Sequence, residues 1–580
     1  MKACLGLHGV GVSRGVAIGQ AYVIQRNQCR VRERHLPASQ IEAEVARFEE
    51  ALGRARQQLW AVRDDLPPHT PIDIASFIDT HLLMLDDRVI ARDPVELIRA
   101  RHCNAEWALK TQRDALVKVF DAMDDPYLRT RKDDIDHVVC LIMRLLQGEG
   151  ESRPGSLAGR IIIADDLSPA DTVTMQNEGV AAFVTEYGGP TSHTTILARS
   201  LGIPAIVGLH NLMRYIEDGE ALIVDGDLGV VIANFDERGR SLYQQKQRNA
   251  LRHRQALEGL AQQPAVSRDG ISVSLLANIE LKEDIKATTQ VAAKGVGLYR
   301  TEFLFMNRNR LPDEEEQYEA YVNVVRKLDG APLTIRTLDL GADKTLTSER
   351  REAPRGVMAT NPALGLRAIR LCLRDQALFK TQLRAILRAS AEGPVNLMLP
   401  MITSLQEIGQ AISLIEQAKL ELLSEGQAFD HALPVGAMIE VPAAALSAHV
   451  FARHLDFLSI GTNDLTQYTL AADRLDNMLD YLYQQLHPAV LRLIDMTLKA
   501  GRKAGIPVAM CGEMAGEPRY TRLLLGLGLR EFSMQPAMVP EIKRVIQEVE
   551  IEPLTRRVRR ALSLPSSIEV EQFVDRLNRG

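Results

Sequence analysis

Between residues 270 and 580, short apolar runs alternate with amphipathic stretches in one repeating rhythm, and this restricts the fold more than anything else in the chain. The runs are Val273–Ile279, Val296–Tyr299, Leu333–Leu338, Val395–Met401, Val435–Val441, Phe457–Ile460, Val508–Met510 and Glu531–Met534. Eight strand candidates in about 300 residues, each followed by a helical pattern, match the count and length of a (β/α)8 barrel. Polar residues cluster where the runs end: Arg300-Thr-Glu302, Arg336-Thr-Leu-Asp339, Glu440, Gly461-Thr-Asn-Asp464 and Cys511-Gly-Glu513. Barrel active sites lie at the C-terminal ends of the strands, so these groups are expected to converge on one mouth.

The chemistry of that mouth follows from its residue types. Arg300, Arg336, Lys344, Arg367 and Arg474 make it too cationic to bury without an anionic partner. Guanidinium forks match phosphate and carboxylate geometry, so a small phosphorylated acid is the expected ligand. Glu440 and Asp464 are hard oxygen donors suited to Mg2+ bridging to a substrate phosphate. Together these groups would neutralise a transferring phosphoryl group. Cys511 has two readings, a small buried hydrophobe or a proton donor to a substrate carbon.

A second chemical feature lies upstream. Val180–Thr185 reads as a buried strand and Ile196–Ser200 as a helix, with Gly188-Gly189-Pro190-Thr191-Ser192-His193-Thr194-Thr195 between them. Two glycines permit a tight turn, and hydroxyls beside helix-terminal amides cradle an anion. Imidazole is nucleophilic near neutral pH, so His193 is a candidate phosphoryl acceptor. Its bland alternative is an incidental residue in a helix-capping loop.

Around this loop the texture changes twice. Residues 6–24 read as one or two short strands around a turn. Pro37 to Gly148 is nearly free of glycine, with Ile41, Val45, Phe48, Leu52 and Leu59 at helical spacing, followed by Phe77, His81, Leu82 and Leu85, then Val117, Phe120 and Met123. Core or surface packing is the better reading of His81 and His137, and helix capping that of His487 before Pro488. The predicted domains are 1–34 with 146–235 (an α/β domain bearing His193), an inserted helical subdomain at 35–145, a polar linker helix at 236–265, and the barrel at 266–580.

The formal net charge of −6 argues against general nucleic-acid binding. No run of 18 apolar residues and no charged-then-apolar leader argue against membrane insertion or secretion. Six scattered cysteines without a C-x-x-C suggest neither a disulfide framework nor a zinc site, and fit a reducing cytoplasm.

Four motifs carry a resemblance covering essentially the whole chain: Gly188–His193, Gly297-Leu-Tyr-Arg-Thr-Glu-Phe-Leu-Phe-Met306, Arg384-Ala-Ile-Leu-Arg-Ala-Ser390 and Ser459-Ile-Gly-Thr-Asn-Asp-Leu-Thr-Gln-Tyr468. Together they resemble enzyme I of the bacterial phosphoenolpyruvate:sugar phosphotransferase system. The resemblance implies a swivelling phosphohistidine α/β domain, an inserted helical subdomain, a linker helix and a (β/α)8 barrel. His193 would take the phosphoryl group of phosphoenolpyruvate on Nε2, releasing pyruvate, and pass it to a histidine of the phosphocarrier HPr. Arg300, Arg336, Arg367, Lys344, Asn463, Asp464 and Arg474 would bind substrate, Glu440 and Asp464 would bind Mg2+, and Cys511 would protonate the enolpyruvate carbon. The helical insert would dock HPr and the barrel would form a homodimer.

Three departures bear on this. Gly341-Ala342-Asp343-Lys344 stands for Gly-Gly-Asp-Lys, and Asp166-Leu167-Ser168-Pro169 for Asp-Leu-Thr-Pro. Asp79-Thr-His81-Leu-Leu-Met-Leu-Asp-Asp-Arg88 replaces a more acidic run in the docking subdomain, which leaves a nitrogen-type paralogue with its own carrier as the alternative. A phosphoenolpyruvate sensor and a nucleotide-dependent dikinase are the other readings; no catalytic residue is lost, and no stretch remains for a nucleotide domain.

Overall fold

The computed structural model describes residues 5–24, 31–64, 72–121, 126–148, 157–165, 167, 175, 178–187, 195, 198, 202–210, 212–282, 284–306, 310–340, 362–474, 479 and 481–579. Two compact units divide the chain, Met1–His253 and Arg254–Gly580.

In the second unit eight strands close into a barrel in sequence order: β9 (Ser274–Ile279), β10 (Val296–Arg300), β11 (Leu333–Arg336), β12 (Val395–Leu399), β13 (Val435–Ile439), β14 (Phe457–Ile460), β15 (Val508–Met510) and β16 (Glu531–Met534). Every neighbouring pair is parallel, and β16 returns to β9 with Glu531 opposite Ser274. Each expected apolar run holds one strand. Parallel strands are covered on both faces, by the barrel interior and by the helices, which is why they read as unbroken apolar runs. The helix Pro488–Ala504 shows the outer layer, burying Val490, Leu491, Ile494 and Leu498 along one stripe. His487 caps it as expected, its Nδ1 accepting the Ala489 amide at 3.2 Å.

The first unit holds an eight-stranded mixed sheet in the order β1-β8-β7-β3-β4-β5-β6-β2. Its strands are β1 (Leu5–His8), β2 (Val10–Ser13), β3 (Val16–Ile24), β4 (Arg160–Ala164), β5 (Ala182–Thr185), β6 (Ala205–Val207), β7 (Ala221–Asp225) and β8 (Val230–Ala233). The segment expected to give one or two strands gives three. Gly15, at φ 120°, turns the chain from the far edge of the sheet to its middle, a conformation that glycine adopts without a Cβ clash.

Strands β3 and β4 are parallel neighbours, with Gln20 opposite Arg160, and six helices run between them in sequence. These are α1 (Ile41–Asp64), α2 (Ile72–Asp86), α3 (Arg88–Ala91), α4 (Asp93–Arg101), α5 (Ala105–Asp121) and α6 (Pro126–Leu146). The predicted stripe Ile41, Val45, Phe48, Leu52 and Leu59 is buried along α1 and packs in a core with Leu85, Ile98, Leu109 and Ile142. Met123 lies outside the described residues. The polar stretch expected as a linker forms the helix Glu237–Leu260. No helix among the described residues is long and apolar enough to cross a membrane.

Candidate active site at the barrel mouth

Strands β10 and β11 end with Arg300 directly opposite Arg336, so the register alone brings two arginines to neighbouring strand ends. Arg336 is buried, its Nη2 donating to Glu302 Oε1 at 2.8 Å and its Nη1 lying 3.1 Å from Asp339 Oδ2. Asp339 Oδ1 accepts Arg367 Nη2 at 2.8 Å and Nε at 3.2 Å. Arg300 donates to Glu280. The anionic partner that so cationic a mouth calls for is supplied in part by the protein itself. Glu280, Glu302 and Asp339 already balance the arginines, because β10 and β11 deliver acidic residues beside their basic ones. Burial disfavours the Arg336 charge, but Glu302, Asp339 and Glu440 outweigh it and hold the guanidinium more firmly protonated than usual. Its Nε makes no hydrogen bond among the described residues, which leaves a buried donor for a ligand.

Glu440 follows β13 and is 1% exposed. Its Oε1 accepts the Met401 amide at 2.6 Å, and Met401 sits at φ 55°, a costly conformation for a non-glycine residue that aims this amide at the carboxylate. A Cβ on Gly461 would lie 3.0 Å from Glu440 Oε2, so the glycine lets the β14 end approach the carboxylate closely. Burial, then the charges of Asp464 and Asp339, push the Glu440 carboxyl up to about 8. Asp464 is also buried, and its Oδ1 has no hydrogen-bond partner among the described residues. Two neighbouring buried carboxylates, one with an orphaned oxygen, form a donor set that fits a hard divalent cation.

Cys511, just after β15, is 3% exposed and belongs to an apolar cluster with Leu298, Met398 and Met438. Met438 Sδ lies 3.9 Å from Arg336 Nη1, so this cluster sits beneath the arginine. Ser459 Oγ donates to Cys511 Sγ at 3.2 Å, and the thiol points to the Ile460 carbonyl at 3.8 Å. Burial pushes this thiol up; the Ser459 hydrogen bond and the charges of Arg336 and Arg300 oppose it, and Glu440 reinforces it. The proton is thereby kept on sulfur, as a donor requires.

The remaining expected residues are less engaged. Asn463 exchanges two hydrogen bonds with Glu513, through Nδ2 at 3.0 Å and Oδ1 at 2.9 Å. The Arg474 side chain is exposed, and its backbone amide donates to Gln467 Oε1 at 3.1 Å. Lys344 and His193 lie outside the described residues, as does most of Asp166–Pro169. The carboxylate partners, Ser459 and the strained Met401 received no role from the sequence. Glu302 and Asp339 were visible as letters at the strand ends, but their pairing needs the register.

Models of three families match the chain in order: PEP-utilising enzyme, N-terminal, over residues 8–131; PEP-utilising enzyme, mobile domain, over 157–229; and PEP-utilising enzyme, PEP-binding domain, over 254–551. A phosphoenolpyruvate-protein phosphotransferase of Cupriavidus necator is 46% identical over 96% of this chain and 97% of its own length. The Bacillus subtilis protein of the same name is 40% identical over 98% of this chain and 99% of its own. An NMR structure of an Enzyme I protein is 31% identical, covering 42% of this chain and 99% of its own, with a TM-score of 0.36. With relatives this similar over nearly its whole length, the chain belongs to the PEP-utilising phosphoenolpyruvate-protein phosphotransferases.

Proposed function

We propose that this chain is a phosphoenolpyruvate-protein phosphotransferase that phosphorylates itself on His193 and then a histidine of the carrier HPr, opening sugar uptake by the phosphotransferase system. The observation that carries the reading is the buried Glu440–Asp464 pair beside Arg336, an oxygen donor set next to an unsatisfied guanidinium N–H. The curated relatives share the general phosphotransferase name, so the nitrogen-type alternative is not carried forward.

In this reading Arg300, Arg336, Arg367, Lys344 and Arg474 grip the phosphate and carboxylate of phosphoenolpyruvate, and Asn463 and Asp464 orient it. Glu440 and Asp464 would hold a divalent cation, Mg2+, which when bound would supply neutralising charge to the phosphoryl group. The lone pair of His193 Nε2 attacks phosphorus while the bond from phosphorus to the enol oxygen breaks, releasing the enolate of pyruvate. Cys511 gives its thiol proton to the methylene carbon, completing pyruvate, and the thiolate recovers a proton from solvent. Ser459 steadies the thiolate in the interval through its hydrogen bond to sulfur.

The chain works as four segments in this proposal: 1–34 with 146–235 bearing His193, 35–145 docking the carrier, 236–265 linking, and 266–580 binding phosphoenolpyruvate and forming a cytoplasmic homodimer. The polar linker lets His193 alternate between the mouth and the carrier. The test is incubation of purified chain with radiolabelled phosphoenolpyruvate and Mg2+, without nucleotide, beside His193→Ala. Acid-labile, base-stable label with stoichiometric pyruvate, present only in the unaltered chain, supports the reading. A folded chain that takes no label overturns it.

A further inference from the structure

The helical part of the first unit gathers ligand-type side chains at a place that the phosphoryl chemistry does not use. Asp134 and His137 stand three residues apart on α6 and so share one face of that helix. His81 approaches from α2, and one ligand atom from each of the three lies within 4.8 Å of the others. All three are buried, at 3% exposure for His81, 1% for Asp134 and 8% for His137. The two imidazoles meet edge to face with centroids 5.9 Å apart. Leu82 and Leu85 on α2 and Ile135, Val138 and Ile142 on α6 belong to the apolar core of the same helices.

His81 Nε2 and Asp134 Oδ1 are 3.5 Å apart, longer than a normal hydrogen bond. That distance is close to the edge of a tetrahedron around a metal with bonds of about 2.0–2.1 Å, an edge of roughly 3.3–3.4 Å. The donors, two ring nitrogens and one carboxylate oxygen, suit a borderline transition metal better than Mg2+ or Ca2+, which favour oxygen throughout.

We propose that His81, Asp134 and His137 form a three-ligand transition-metal site of Zn2+ type, with its fourth position open to water, that clips α2 to α6. The site differs in donor chemistry from the Glu440–Asp464 pair, so the two sort metals between them: hard Mg2+ at the barrel mouth, Zn2+ among the helices.

The test uses the full chain, stripped with a chelator, equilibrated with Zn2+ in excess Mg2+, desalted and assayed for metal. About one Zn2+ per chain is expected in the unaltered protein and in Glu440→Gln, and its loss in His137→Asn and His81→Asn, with folding checked by circular dichroism. Co2+ loaded in place of Zn2+ should show the intense visible bands of a tetrahedral site with nitrogen ligands. An unaltered chain that retains no Zn2+, or Zn2+ that survives in folded His137→Asn, overturns the proposal. Should both histidine variants fail to fold, Co2+ bands of octahedral type in the unaltered chain do the same.

Discussion

The barrel mouth and the α2–α6 pocket are both buried clusters of ionisable groups, yet they solve the charge problem by different means. At the mouth the cations are guanidinium groups, which cannot discharge, so Glu302 and Asp339 must stand against Arg336 and Arg367 whatever the ligand state. In the helical pocket the basic groups are imidazoles, a group that, unlike guanidinium, has a neutral form needing no counter-ion. The mouth is therefore locked by ion pairing with permanent cations, while the pocket sets carboxylate against imidazole.

The largest effect expected from this contrast is at Asp339, whose carboxylate serves two arginines at once. Asp339→Asn leaves both guanidinium groups under-compensated, and breaking a buried pair in this way costs about 3–5 kcal/mol. Denaturant unfolding of the barrel should show this loss, and phosphoenolpyruvate-dependent labelling should vanish with it. A barrel of unchanged stability would mean that solvent, not Asp339, compensates the arginines.

Next in size is Cys511→Ser, which keeps a small polar atom in the apolar cluster but replaces the thiol by a far weaker acid. Phosphoenolpyruvate should still bind, and pyruvate formation should slow about 100-fold, the scale of a lost general acid. Rapid-quench measurement of pyruvate separates this from a binding defect. An unchanged rate would assign the proton to another group and leave Cys511 as packing.

Glu440 sharpens the contrast through pH. Its carboxyl titrates near 8 in the folded metal-free chain, above the ordinary value of 4.5. The folded state thus holds a proton that the unfolded state has released across that interval. Stability contributed by this group is present below about 4.5 and is lost as pH rises toward 8. The chelated protein should show this falling slope, Glu440→Gln should flatten it, and Mg2+ should flatten it too by stabilising the charged form. Binding of Mg2+ should release a proton and weaken below pH 8, which calorimetry in buffers of different ionisation enthalpy detects.

The two regions were also unequally legible in the sequence. In the barrel, strand ends converge by topology, so Arg300, Arg336, Glu440, Asp464 and Cys511 could be assigned to one mouth before any coordinates. What escaped was pairing: which carboxylate meets which arginine could not be read, because Arg300 opposite Arg336, and Glu302 beside Asp339, are facts of register. The Met401 amide on Glu440 escaped as well, since a left-handed methionine leaves no compositional trace. In the helices the apolar stripe of α1 was readable from its period. His81 and Asp134, however, lie 53 residues apart in sequence, and only the packing of α2 on α6 joins them. Packing was the reading given to His81 and His137; the carboxylate that makes them a chemical cluster was not foreseen.

The smallest effect tests that contrast directly. Asp134→Asn, in chelated protein, leaves two imidazoles that meet an amide in place of a carboxylate. The cost should be about 1–2 kcal/mol, that of a perturbed buried polar contact rather than of a stranded charge. It should appear as earlier unfolding of the first unit, and the isolated rate of pyruvate release at the barrel should not move. A loss as large as that of Asp339→Asn would mean that an imidazole in the pocket is protonated and ion-paired, like the arginines of the mouth. The difference between the two variants therefore measures the point at issue, whether a buried base can shed its charge when its carboxylate is removed.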